Sequence, residues 1–170
     1  MRFLFLFFFV FNLNAQQSYI DYLSPYHPTV SNKGMVVTQN NLSSDVGIEI
    51  LNKGGNAIDA AVAVGFSLAV TLPRAGNLGG GGFMLVYLKE KDEIFYIDYR
   101  SKSPLNASID NIFDLSGKNI SPIDFSDDIY DKTRYGYKAP AIPGTVAGLL
   151  EAHEKFGSLP LEEVLAPAIR

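Results

Sequence analysis

Apolar residues change their spacing several times along the chain, and each change predicts an element. Met35-Val36-Val37-Thr38 is a short β-like run and predicts a strand. Ser43 or Ser44 can cap the helix that follows. Val46, Ile48, Ile50 and Leu51 give that helix its apolar positions, and Lys53-Gly54-Gly55 ends it. Asn56 caps a second helix, from 57 to about 70. Its residues are apolar almost all round, which predicts burial between layers. Pro73 stops it. Residues 76–83 read Gly-Asn-Leu-Gly-Gly-Gly-Gly-Phe and lead into an unbroken apolar strand at 83–88. The charged turn Lys89-Glu90-Lys91-Asp92-Glu93 and a second strand at 94–99 complete an antiparallel hairpin. Residues 105–139 are polar, acidic and aromatic, and predict a long surface excursion. Thr145 caps a helix over about 146–155, closed by Gly157. Pro160 occupies a permitted first-turn position of a last helix, which runs to Arg170 without a stop signal. The chain is therefore expected to be the front of a longer one. The order helix, helix, strand, strand, helix, helix predicts a layered α/β protein.

The first residues obey a different pattern. Arg2, an apolar phenylalanine-rich run over 3–11 and Leu13-Asn14-Ala15 match a secretory signal peptide. Residues 1–15 are read as that signal, 16–33 as a polar arm, and 34–170 as the folded portion. The 170 residues, 47% hydrophobic with a net charge of −4, exclude a disordered tail. They show no basic cluster, so no nucleic-acid partner is expected. There is no cysteine. Disulfides, thiolate chemistry and a lipoprotein anchor are thereby excluded.

The four consecutive glycines, Gly79, Gly80, Gly81 and Gly82, need a reason. Each costs roughly 0.5–1 kcal/mol against alanine inside a regular element. A phosphate loop runs from strand to glycine to helix and ends in Lys-Ser/Thr; here a helix precedes and a strand follows. A dinucleotide fingerprint starting at Gly79 and Gly81 would need glycine at Met84. Two readings stay open: a backbone-lined ligand site, or tight packing against a neighbouring layer. Arg100 stands at the end of the second strand. Its planar fork of donors suits bidentate binding of a carboxylate, but a salt bridge to Asp98 or another acid is the commoner fate. His27 and His153 are the two histidines; His27 lies in the arm and His153 on the polar face of a helix. Neither has a nucleophile at useful spacing, so no Ser-His-Asp triad and no metal site is expected.

Six ordered segments resemble the large-subunit N-terminus of the γ-glutamyltransferase (γ-glutamyltranspeptidase, glutathione hydrolase) family, most closely its bacterial, exported members. They are Met35-Val36-Val37, residues 47–63, residues 76–83, Asp98-Tyr99-Arg100, residues 143–148 and residues 156–161. The resemblance implies an N-terminal-nucleophile hydrolase fold in αββα order, here only an N-terminal fragment of it. It implies a precursor that cuts itself into two subunits, with a threonine at the new N-terminus of the small subunit as nucleophile. It implies glutathione and other γ-glutamyl compounds as donors, water or an amino acid or peptide as acceptor, and no cofactor. Carried over, Arg100 matches the arginine that binds the α-carboxylate of the γ-glutamyl group. Gly79 to Gly82 become structural residues near the cleft. The family pattern Asp-x-Arg-Glu is broken here by Ser101. No Thr-Thr pair, the mark of the family's processing site, occurs in these residues, so no catalytic residue is expected in this chain, and the fragment alone is expected to be inactive. A related amidohydrolase, such as a cephalosporin acylase or a poly-γ-glutamate capsule enzyme, and a non-enzymatic exported module are the alternatives.

Overall fold

The computed structural model describes residues 30–108 and 139–170. The signal peptide, most of the arm, His27, and residues 109–138 of the surface excursion lie outside the described residues. Four helices and one hairpin form the body: α1 (Asn41–Asn52), α2 (Ala57–Thr71), β1 (Phe83–Leu88), β2 (Glu93–Asp98), α3 (Thr145–Phe156) and α4 (Leu161–Ile169). Among the described residues, no helix is long and apolar enough to cross a membrane.

The helix α2 is the centre. It packs on α1, α3 and α4, and α1 also reaches α4. Ile50, Val62, Ala63, Ala152 and Val164 are completely buried in this core. Helical periodicity brings them onto facing stripes. The other flank of α2 is open: Val70 is 72% exposed, and Ala57 and Ala61 are exposed too. The all-round apolar pattern of α2 thus overstates its burial within this chain.

Several local expectations need correction. Residues 35–38 form no strand; no ladder partner reaches them among the described residues. The Thr38 hydroxyl donates to Asn40 O (2.6 Å) and accepts from Asn40 N–H (3.1 Å), which turns the chain into α1. Val36 packs instead on the bare face of Gly47. The cap of α1 is Asn40, whose side chain accepts from Leu42 N–H at 2.9 Å, not Ser43 or Ser44. Ser43 is buried and bonds across to Ser67 (2.9 Å) and Thr71 (2.7 Å), pinning α1 to α2. Thr145 is the first residue of α3; Gly144 holds the cap position and no side chain caps that end. Pro160 sits at the cap of α4, one residue before the helix.

The hairpin forms as expected. The register pairs Phe83 with Asp98, Leu85 with Tyr96 and Tyr87 with Ile94 on one face. Met84 with Ile97 and Val86 with Phe95 alternate onto the other. Val86 and Ile97 are buried in the core. The opposite face is bare: Phe83, Leu85, Tyr87, Ile94 and Tyr96 are each more than half exposed.

Candidate functional site

The ladder continues one pair past the strands. Tyr99 N–H donates to Gly82 O (3.1 Å) and Gly82 N–H to Tyr99 O (3.3 Å). Residues 99–102 then run between two flanking segments. On the far side, Lys102 and Ile142 exchange backbone hydrogen bonds of 3.1 and 2.8 Å. Gly144 N–H and Thr145 N–H close the arrangement by donating to Gly80 O at 2.8 and 3.1 Å. Two glycines make this closeness possible. A Cβ on Gly81 would lie 2.6 Å from Tyr99 O and 2.8 Å from Arg100 C. A Cβ on Gly144 would overlap the Tyr99 carbonyl. Only hydrogen fits at either place.

The glycine run therefore divides. Gly81 and Gly82 are packed against residues 99–101. Gly79 and Gly80 are less crowded: a Cβ would meet Asn77 Oδ1 at 3.4 Å, an ordinary contact, on Gly79 and at 3.2 Å, a tight one, on Gly80. Neither has a positive φ. Within the described residues, packing explains Gly81 and Gly82, is marginal at Gly80 and leaves Gly79 without a reason.

Arg100 emerges from this clamp into a cleft of about 220 Å³. Asp98, Tyr99, Lys102, Pro143, Gly144 and Glu151 are among its walls. The backbone of Arg100 is fixed, because its N–H donates to Asp98 Oδ1 at 3.0 Å. The salt bridge to Asp98 considered from the sequence does not form; that carboxylate takes the backbone. Among the described residues the guanidinium enters no ion pair within 4 Å. Glu151, the other acid of the cleft, pairs with Lys155 one turn on. The result is a held arginine with its fork of donors exposed beside a concave wall. That arrangement can bind a planar carboxylate. Among the described residues no group of three or more His, Asp or Glu side chains is gathered.

A second charged site went unnoticed in the sequence. Asp59 is fully buried. It accepts from Asn56 N–H (2.9 Å), from Ser158 N–H (3.1 Å) and from the Ser158 hydroxyl (2.6 Å). Burial on its own would raise its pKa. The Ser158 hydroxyl and the N–H groups of Asn56, Ser158 and Leu159 outweigh burial and hold the carboxyl below its usual range. His153 Nε2 lies 3.7 Å from Asp59 and donates to Leu159 O at 2.8 Å. His153 is thus half-buried against the α3–α4 connection, not on a free polar face. Asp59 closes the capping box of α2 with Asn56 and, from the same carboxylate, ties down Ser158 and Leu159.

The chain as a whole resembles known proteins. Residues 43–170 match the family model described as Gamma-glutamyltranspeptidase. The chain belongs to the gamma-glutamyltranspeptidase family. A glutathione hydrolase proenzyme from Pseudomonas sp. (strain A14) is 44% identical over 142 residues, covering 84% of this chain and 23% of that protein. The crystal structure of Helicobacter pylori gamma-glutamyltranspeptidase superposes with a TM-score of 0.72 at 39% identity, over 84% of this chain and 38% of that one. An acylase ACY 1 proenzyme from Pseudomonas sp. (strain V22) is 41% identical over 150 residues, 88% of this chain and 26% of that protein. The chain spans about a quarter of the length of these curated relatives. The expected fold class holds: these helices and this hairpin are an α+β part of the N-terminal-nucleophile hydrolase architecture shared with gamma-glutamyltranspeptidases.

Proposed function

We propose that this chain is the front of the large subunit of an exported γ-glutamyltransferase, and that Arg100 holds the α-carboxylate of the γ-glutamyl donor. The observation that carries this is the held arginine: a backbone clamped on both sides, in a cleft, with a guanidinium that enters no ion pair among the described residues. A bidentate arginine–carboxylate pair fixes both position and rotation of the donor, which lowers the entropy cost of reaching the attacking geometry.

The chemistry itself belongs to the rest of the precursor. A threonine at the start of the small subunit attacks the γ-carbonyl carbon of glutathione, with its own α-amine taking the hydroxyl proton. The C–N bond breaks, the amine leaves with that proton, and a γ-glutamyl ester remains. Water or the amine of an amino acid or peptide then attacks the ester. In this scheme Gly81 and Gly82 let the backbones close up behind Arg100, and Gly79 and Gly80 present bare backbone near the cleft wall. Residues 1–15, read as a secretory signal, support export to the periplasm or outside the cell.

The acylase relative favours a second reading, in which the acyl group carries no α-carboxylate for Arg100. Paired donors separate the two. A precursor carrying this segment is incubated with γ-glutamyl anilide and with 4-aminobutanoyl anilide, which lacks only the α-carboxylate. Preferential cleavage of the γ-glutamyl donor is expected; equal or better cleavage of the donor without the carboxylate would refute the proposal.

A further inference from the structure

Arg100 is usable only if its stem leaves the backbone in one direction, and the neighbouring residue is built to enforce that. The Tyr99 ring lies in a slot that two glycines make. A Cβ on Gly82 would stand 2.8 Å from Tyr99 Cε2, and a Cβ on Gly148 of α3 would overlap the Tyr99 ring outright. The backbone of Tyr99 is held by the paired hydrogen bonds to Gly82, and its carbonyl lies against the bare face of Gly144. Its hydroxyl adds a long bond to Phe83 O at 3.4 Å. Gly144 and Gly148 also line the cleft that Arg100 enters. Successive side chains of an extended chain leave on opposite faces, so the backbone that the seated ring helps to hold also sets the direction in which the Arg100 stem leaves.

We propose that Tyr99, seated between Gly82 and Gly148, is the positioning residue that aims Arg100 into the cleft. The inference rests on Arg100 binding the donor carboxylate. The ring acts by bulk and shape. It touches no reacting atom, and the hydroxyl contributes little because its bond is long. Shrinking the ring frees Arg100 to sample other directions. Misplacement on the order of 1 Å costs up to about 100-fold in an oriented reaction.

The test is a double-mutant cycle in the full-length precursor with γ-glutamyl anilide as donor. Tyr99→Ala is expected to lower kcat/KM roughly 10- to 100-fold. The same substitution made on top of Arg100→Ala is expected to add almost nothing, because the group it aims is already gone. Tyr99→Phe is expected to stay within about twofold of wild type, since the ring is kept. Should Tyr99→Ala fail to fold by thermal melting, Tyr99→Leu replaces it in the same cycle and is read the same way. Equal penalties with and without Arg100 would overturn the proposal, as would a Tyr99→Phe loss as large as that of Tyr99→Ala. Failure of the underlying reading looks different: Arg100→Ala alone would then leave KM unchanged.

Discussion

Asp59 and Arg100 are both charged, and the chain treats them in opposite ways. Asp59 is wholly buried, and it spends its oxygens on Asn56, Ser158 and Leu159. Arg100 has its backbone tied on both flanks, while its side chain projects into a cleft without an ion pair among the described residues. A charge whose partners are all internal holds the fold together. A charge held in place by its backbone alone leaves its side chain for a ligand. The contrast is one of hydrogen-bond capacity: the capacity of Asp59 is used inside the fold, and that of the Arg100 side chain is left open, as the proposed carboxylate role requires.

That contrast can be broken by experiment. The largest effect is expected at Asp59. Asp59→Ala strands several buried donors around 56 and 158–159, and should cost about 3 kcal/mol or more of stability. Thermal or urea melting of the full-length protein measures it, and a loss near zero would remove Asp59 from its structural role. Acid gives a graded form of the same test. Because the folded carboxyl sits below its unfolded value, its contribution is present above about pH 4 and is lost as pH falls through the folded pKa. The acid side of the stability profile should flatten in Asp59→Asn; an unchanged slope would contradict this. Asn56→Ala removes the other half of the capping box and is expected to cost about 1 kcal/mol. Thr145→Ala, at a helix end with no side-chain cap bond, is expected to change stability by less than about 0.5 kcal/mol.

What the sequence made legible was local. The hairpin was readable because two β-rich runs flank a charged turn, and the cap of α2 because Asn56 follows Gly54-Gly55 and precedes an apolar run; the Asp59 half of its capping box was not read. Tertiary partners were not readable. Asp59 gives no signal in the sequence because Ser158, its partner, lies 99 residues away in the chain. His153 was placed on a polar face for the same reason: its partner Leu159 lies across the connection to α4. Ser43 and Ser44 both read as possible caps, because the bonds of Ser43 to Ser67 and Thr71 depend on how α1 packs on α2. The extended run at 35–38 has strand composition, but the Thr38 hydroxyl turns it into α1. At the site, the motif around Arg100 was visible as a resemblance. The division of the glycine run, and the slot for Tyr99, required coordinates.

The exposed hairpin face sharpens the same lesson on a larger scale. Leu85, Tyr87, Ile94 and Tyr96 form one apolar surface on the side away from the helical core. Residues 34–170 expressed alone are expected to aggregate through it. A monomeric product with a cooperative melt would show that this face needs no cover.

The claim that Arg100 is held for a carboxylate is tested most directly by the KM of Arg100→Ala for γ-glutamyl anilide in the full-length protein. Loss of a charge-assisted pair predicts a rise of about 10- to 100-fold, with partial recovery in Arg100→Lys. A KM unchanged from wild type would contradict the account.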